Sequence, residues 1–316
     1  MKTRLPDAWL LLPRLQVQNA SAISGPYSWG FPPPSAFAGF VHALSRQGMS
    51  FEGQPISLDG VGVISHKFEP QVSDGFIKTF SLTRNPVDKS GASAPFVEEG
   101  RAHLEVSLLV GVYSEALIGV SDEDFEEIAQ IFADQVPTLR LAGGTIQPLQ
   151  NHNRPLLVAG TIEPNKITRR LLPGFALVER NDRLAETLEM LRQEVPDATP
   201  LDALVEATSL HWDCVSAAEE DSDEVEWKIR ARDGWVVPLP VGYRALSPLY
   251  SPGEVLNARD AETPFRFVEA LYGLGEWISP HRVESLEQLL WYHQSQPDQG
   301  IYRFTNSYLV QEESHV

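Results

Sequence analysis

A single cysteine, Cys214, occurs in 316 residues. One thiol excludes an internal disulfide and any paired-cysteine zinc or redox site, and it fits a reducing cytoplasm. No stretch approaches the roughly 20 apolar residues that a membrane span needs. The N-terminal "MKTRLPDAWLLLPRLQ" has too short an apolar run for a signal peptide, being interrupted by Pro13 and Arg14. Catalytic signatures are missing as well: there is no HExxH, no P-loop, no GxSxG and no GxGxxG opening a helix after a strand. The eight histidines include no pair at i, i+4, so no metal site is written in the spacing, and no cofactor is expected.

Basic charge is also scarce, 25 Lys and Arg against 43 Asp and Glu for a net charge of −18, which at first argues against a nucleic-acid binder. The deficit is local. Residues 120–136 carry no basic and six acidic side chains, and residues 186–226 carry one and thirteen. These two segments account for the whole excess, so a basic surface remains available elsewhere. The acidic runs read either as solvated faces or as a contact for a basic protein groove.

What is present is a folded chain, 42% hydrophobic and 9% aromatic, long enough for one large domain or two joined ones. Ala8 to Ala20 reads as a strand. In "GFPPPSAFAGFVHAL" three prolines stiffen the approach to Ser35, expected as the N-cap of a helix. Phe37, Phe40, Val41 and Leu44 form its buried face, and Gly39 suggests a close neighbour. Ile56 to Glu69 and Arg101 to Tyr113 give two more strands, Ser121 caps an amphipathic helix through Val136, and Thr138 to Ile146 gives a fourth strand. The order is βαββαβ, the ferredoxin-like unit that RNA-recognition folds share. The fold class expected is thus α+β: a ferredoxin-like, RRM-type core over 1–146 with an insertion at about 67–100, and a second mixed α/β region over 147–316. In that second region Arg169 to Glu179 reads as a strand and residues 213–226 as an acidic loop. Helices are expected near 184–195, after Thr199, in "TPFRFVEALYGLG" and in "RVESLEQLLWYHQ", with "GLGEWIS" as a helix stop or a phosphate cradle.

Three groups could touch nucleic acid: Arg84 and Asn85 in the insertion, Arg101 and His103 on the polar face of a strand, and Lys166, Arg169 and Arg170 as the densest basic cluster. Each has a plain structural reading too: a turn, a solvated face, and pairing with the acidic helices. Tyr27, Trp29 and Phe31 suit either base stacking or core packing, and the Glu98–Glu99 pair reads as solvent-facing.

The phrases "LLLPRLQVQNASAISGPYSWGFPPPSAFAGFVHAL", "SLTRNP", "VEEGRAHLEVSLLVGV", "LRLAGGTI", "TRRLLPGFALV", "GYRALSPLY" and "PGEVLNARDAETPFRFVEALYGLGEWISPHR" resemble the Csy-two family, the Cas-five-type subunit of the type I-F CRISPR surveillance complex. Residues 147–165 and 213–226 follow no family pattern. The resemblance implies a non-catalytic subunit that pairs with the large, Cas-eight-type subunit and adjoins the repeated Cas-seven-type backbone. Together with the large subunit it would hold the 5′ handle of the crRNA, next to where target DNA enters and its flanking motif is read. Carried onto this chain, the insertion is a thumb with Arg84 and Asn85 near the RNA. Arg101 and His103 lie at its base, Ser35 near the handle, and Arg169 and Arg170 in a basic phrase, with Asn19 also counted among the RNA-binding residues. Ser35 either caps its helix or touches the RNA backbone. Two rivals stand beside this reading: a metal-independent endonuclease using His103 or Tyr113, and an unrelated α+β metabolic enzyme.

Overall fold

A computed structural model describes residues 4–309 except 74, 82, 85, 86, 88, 94, 95, 98 and 217–224. Strand β1 (Ala8–Ser21), helix α1 (Pro34–Ser45), β2 (Ser57–Pro70), β3 (Arg101–Tyr113) and α2 (Asp122–Gln135) follow one another, then a tight hairpin of β4 (Arg140–Leu141) and β5 (Gly144–Ile146). Side by side the strands run β5-β1-β3-β2, each pair antiparallel. Alternate residues explain the apolar runs. Leu10, Leu12, Val61, Val63, Leu108 and Val110 bury with Phe37, Phe40, Phe125 and Phe132 of the two helices. Trp9, Leu11, Ile64 and Leu109 bury on the opposite face. With both faces covered, "AWLLL" and "SLLVGV" need no polar alternation.

The C-terminal half supplies β6 (Leu156–Ala159), α3 (Pro164–Thr168), β7 (Phe175–Glu179), α4 (Asn181–Glu194), α5 (Pro200–Thr208) and a ribbon of β8 (Trp212–Ser216) with β9 (Val225–Ile229). The long strands β10 (Trp235–Ala245) and β11 (Val268–Ile278) follow, then β12 (Leu290–Gln296) and β13 (Ile301–Asn306). β6 adds to β1 beyond β5. The remaining strands continue the same eleven-stranded sheet as β2-β7-β11-β10-β13-β12, so hydrogen bonding runs unbroken through the point, after residue 146, where two regions were expected. β12 returns to β2, pairing Leu290 and Trp291 with Gly62 and Val61, while β7 pairs at Ser65 and Ile64. One edge of β2 is therefore shared end to end, and the returning strands close a ring.

Several expectations change. Pro33 occupies the cap position of α1 and Pro34 its first turn, so Ser35 lies inside the helix and makes no capping bond. The fixed φ of proline suits the first helical residue and starts the helix early. Gly39 has nothing within 4 Å of where a Cβ would stand, so no neighbour demands it. "VEALYGLGEWI" is strand β11 rather than helix, and its glycines admit Asn181 and Leu177 at mid-strand, so they neither stop a helix nor cradle a phosphate. "LEQL" is a single 3-10 turn before β12. Arg169 to Leu171 form a turn, so only Phe175–Glu179 is extended. The ends of the expected acidic loop pair as β8 and β9; residues 217–224 lie outside the described ones. Residues 67–70 belong to β2, so the insertion starts at 71. No helix among the described residues is long and apolar enough to cross a membrane.

Trp291, with 0% exposure, donates its Nε1–H to the Leu177 carbonyl at 2.8 Å, tying β12 to β7 where both meet β2. Trp291→Phe leaves that carbonyl short of a donor in a dry seam. Chemical denaturation should find the variant less stable by about 1–3 kcal/mol; an unchanged midpoint and slope would refute the role of this bond.

Candidate nucleic-acid interface

Proline cannot donate to a sheet ladder and is tolerated inside a strand only at edges and bulges. At Pro13 the chain bulges: Leu12 opposes Leu108 and Leu15 opposes Val106, leaving Pro13 and Arg14 against Ser107. Arg14 takes φ 46°, a left-handed value that costs a non-glycine residue. On the other side of β3, Ser65 opposes Val106 and Lys67 opposes Glu105, so His66 is an extra residue too. Ser107, buried to 0% exposure, stands between the two bulges and serves both. Its Oγ accepts the Arg14 N–H at 2.9 Å and lies 2.7 Å from His66 Nε2. His66 Nδ1 is 2.6 Å from the Pro173 carbonyl, which can only accept. The proton therefore sits on Nδ1, and Ser107 donates to Nε2. Gly174 makes the approach possible, since a Cβ there would stand 2.8 Å from the imidazole.

Burial holds the His66 imidazole below its ordinary value of 6.5, and the Arg14 guanidinium acts in the same sense against the Pro173 carbonyl and Glu105. Burial pushes the Glu105 carboxyl up, but hydrogen bonds from Gln16 and Arg14 and the Arg14 charge outweigh it, so Glu105 stays below its usual range. Arg14 also reaches Glu105 at 2.5 Å and the Leu172 carbonyl at 3.3 Å.

Arg14 then lines a cavity of about 340 Å³ with Asn151, His152, Arg154 and Arg170. Arg154, Arg169 and Arg170 are exposed and have no ion-pair partner among the described residues. Among the described residues, the expected pairing of Arg169 and Arg170 with the acidic helices is absent. Lys166 has only a loose, solvent-exposed partner, Glu163 at 3.8 Å.

A second bulge of β1 falls at Asn19, φ 56°, a conformation asparagine tolerates. Its N–H donates to His103 Nδ1 at 3.2 Å, and its carbonyl accepts from Arg101 Nη1 at 3.4 Å. Asn19, Arg101 and His103 thus converge. Arg101 is also ion-paired with Glu99, a partly exposed carboxylate; Glu98 lies outside the described residues. Ser35 lies apart, lining a cavity of about 350 Å³ with His42, Asp59 and His293. Of Arg84 only the backbone is described, in the short strand Thr83–Arg84 paired with Phe96–Val97; Asn85 lies outside the described residues. Phe31 stacks on Phe37 at 5.5 Å and joins the core, whereas Trp29 and Tyr27 are exposed. Arg14, His66, Ser107, His152 and Arg154 were not among the sequence candidates. Pro13 in an otherwise apolar strand is the signal that could have found Arg14.

The profile of the family described as CRISPR-associated protein (Cas_Csy2) matches residues 10–304. A protein named CRISPR-associated protein Csy2, from Pseudomonas aeruginosa (strain UCBPP-PA14), is 51% identical over 324 aligned positions covering 97% of this chain and 97% of that protein.

Two outcomes follow from the Ser107 junction. Ser107→Ala strands the Arg14 amide and His66 Nε2, and denaturation at pH 7.5 should register a loss of about 1–3 kcal/mol. For His66, the unfolded chain binds a proton near pH 6.5 while the folded chain resists it until lower pH. Its contribution is fully present above 6.5 and declines as pH falls from there through the folded value. Thermal melts between pH 7.5 and 5 should show wild type losing more stability than His66→Asn. Parallel profiles would remove the histidine from the account.

Proposed function

Since the chain belongs to the Csy2 family of CRISPR-associated proteins, we propose that it is a non-catalytic subunit of a type I-F CRISPR surveillance complex, and that it holds the 5′ handle of the crRNA. The observation that carries this reading is the arginine cleft. In a protein of net charge −18, Arg14, Arg154 and Arg170 line one cavity, and two of them lack any carboxylate partner among the described residues. Guanidinium groups left unpaired at a surface are what phosphate oxygens take up. The β5-β1-β3-β2 order, with α1 and α2 sharing one apolar cluster, supports a ferredoxin-like, RRM-type core. The chain inserted between β2 and β3 is then the thumb, with Arg84 and Asn85 toward the RNA and Asn19, Arg101 and His103 at its base.

RNA of fixed sequence is held by splayed bases and a few side chains rather than by bulk charge. An acidic subunit can do this when basic neighbours complete the groove. In our reading the large, Cas-eight-type subunit forms a heterodimer with this chain, the Cas-seven-type backbone subunits follow along the guide, and target DNA enters beside them in the cytoplasm. Of the two side chains offered for the rival endonuclease, Tyr113 is buried, and His103 Nδ1 accepts from the Asn19 N–H. Guide-precursor cleavage by the purified protein in chelator would restore that rival.

Electrophoretic shift should find weak binding of guide RNA by the lone protein and tight binding by the heterodimer; tight, sequence-independent binding by the lone chain would refute the proposal. Within the heterodimer, Arg154→Ala with Arg170→Ala should weaken binding of all guide sequences alike. The slope of log K against log salt should fall in magnitude by about 0.7 for each phosphate that is no longer neutralised.

A further inference from the structure

We propose that the aromatic cavity between β2, β7, β10 and β11 is a slot for one unpaired nucleobase of the RNA whose phosphates occupy the neighbouring arginine cleft. The proposal rests on the RNA-binding reading above and adds to it a base-stacking subsite. The cavity encloses about 520 Å³ and is walled by Trp29, Phe31, Phe175, Trp235 and Trp277. That is ample for a single base and within the range of small-ligand sites. Phe31 and Trp277 also pack on the core, while the other three rings stay open to solvent. Trp29 is 54% exposed, Trp235 56% and Phe175 46%. Phe175 meets Trp235 edge to face at 5.5 Å, and Trp235 is tilted against Trp277 at 6.2 Å, so none of these rings is stacked face to face on its neighbour. Exposed aromatic faces around a concave site are what a splayed base stacks upon.

The chain leading into the three prolines builds one wall. Gly30, at φ 132°, turns the chain between Trp29 and Phe31, and its N–H is held by the Ala22 carbonyl at 2.7 Å. The prolines then carry the chain into α1, whose Phe37 stacks on Phe31. Trp29 is held from outside by Phe80 of the insertion, edge to face at 5.2 Å.

Charge selects the occupant. None of the described residues lining the slot is acidic, although the chain has 43 acidic side chains; the charged residue at the rim is Lys67. Its partner Glu69 is half exposed, a pairing that water weakens and a phosphate can displace. The slot is also joined to the arginine cleft in two ways. His66 lines the slot and, through Ser107, fixes the bulge that places Arg14 in the cleft. Arg170 of the cleft and Phe175 of the slot are five residues apart, at most about 18 Å of chain. A cationic track ending in an aromatic slot suits a single strand with one base turned out. An apolar side chain from a protein partner would need no such track.

The heterodimer with its large subunit, formed with full-length chain, is titrated with in vitro transcribed guide RNA by electrophoretic shift. Trp235→Leu and Phe175→Leu keep apolar volume at exposed positions but remove the ring. Each should weaken binding about 5- to 150-fold, the range that removal of one base stack produces, with the salt slope unchanged because every phosphate stays engaged. Trp235→Tyr should restore most of the affinity. Unchanged affinity in both leucine variants, with the arginine double variant weakened, overturns the slot and leaves the RNA-binding reading standing. Unchanged affinity in all of them overturns both. Leucine variants that shed the large subunit while the RNA is still bound would assign the cavity to a protein contact and likewise overturn the slot.

Discussion

The hydroxyl of Ser107 is the point on which the interface depends. A bulge leaves backbone groups that the ladder cannot satisfy, and a buried orphan amide costs roughly as much as a broken hydrogen bond. Here one buried hydroxyl of β3 serves residues from two bulges, accepting from the Arg14 amide and donating to the His66 imidazole. Hydroxyl chemistry is what permits this, since Oγ is donor and acceptor at once. The two bulges turn their side chains in different directions. Arg14 reaches the cationic cleft and His66 the aromatic cavity, so the spacing between the two sites is set by neighbouring strands rather than by loops.

The ring formed beyond β2 serves the same end. β7 ends the segment whose earlier residues, Arg170, Leu172 and Pro173, touch the cleft, Arg14 and His66 respectively. That segment is anchored because β7 is hydrogen-bonded on both edges, to β2 and to β11. Glu276, 2% exposed on β11, is ion-paired with Arg180 just past β7, and the Asn306 side chain accepts from the Glu179 amide at 3.4 Å. Burial raises Glu179 toward the neutral form, opposed by the Asn306 amide and Arg303. These polar contacts fix the register of strands whose pairing with β2 covers only two residues each.

The N-terminal half is legible in the sequence because each element there carries its own period and its own punctuation. Ser121 caps α2 as expected, closing a capping box with Asp124, and Phe125, Ile128, Ala129 and Phe132 are buried on one face of the helix. The C-terminal strands mislead for a physical reason. "ETPFRFVEALYGLG" has a polar residue, a proline and an apolar run, which is the grammar of a helix start, yet Val268–Ile278 finds strand partners on both edges. Pairing with β7 and β10 outweighs local propensity, and neither partner is near in sequence. Among the site residues, Arg101 and His103 share a face because alternation on β3 already puts them there, and the bulge at Asn19 brings its backbone to both. Arg14 and His66 reach their positions only through bulges, and a bulge depends on its opposite strand.

Charge explains how so acidic a chain avoids indiscriminate binding. Asp122 and Glu126 of α2 line a cavity of about 820 Å³ together with Arg154 and Lys166, and no carboxylate there closes into an ion pair with Arg154 among the described residues. A polyanion at a distance meets the acidic segments as well as the cleft and gains nothing from the sum. Within the cleft the balance reverses, because fields beyond about 8 Å are screened at physiological salt while direct guanidinium contacts are not. Attraction therefore sets in only once phosphates reach contact distance in the right geometry. In the proposed reading, selectivity would come from fit to the cleft and the aromatic slot, and the affinity that net charge withholds would come from neighbouring subunits.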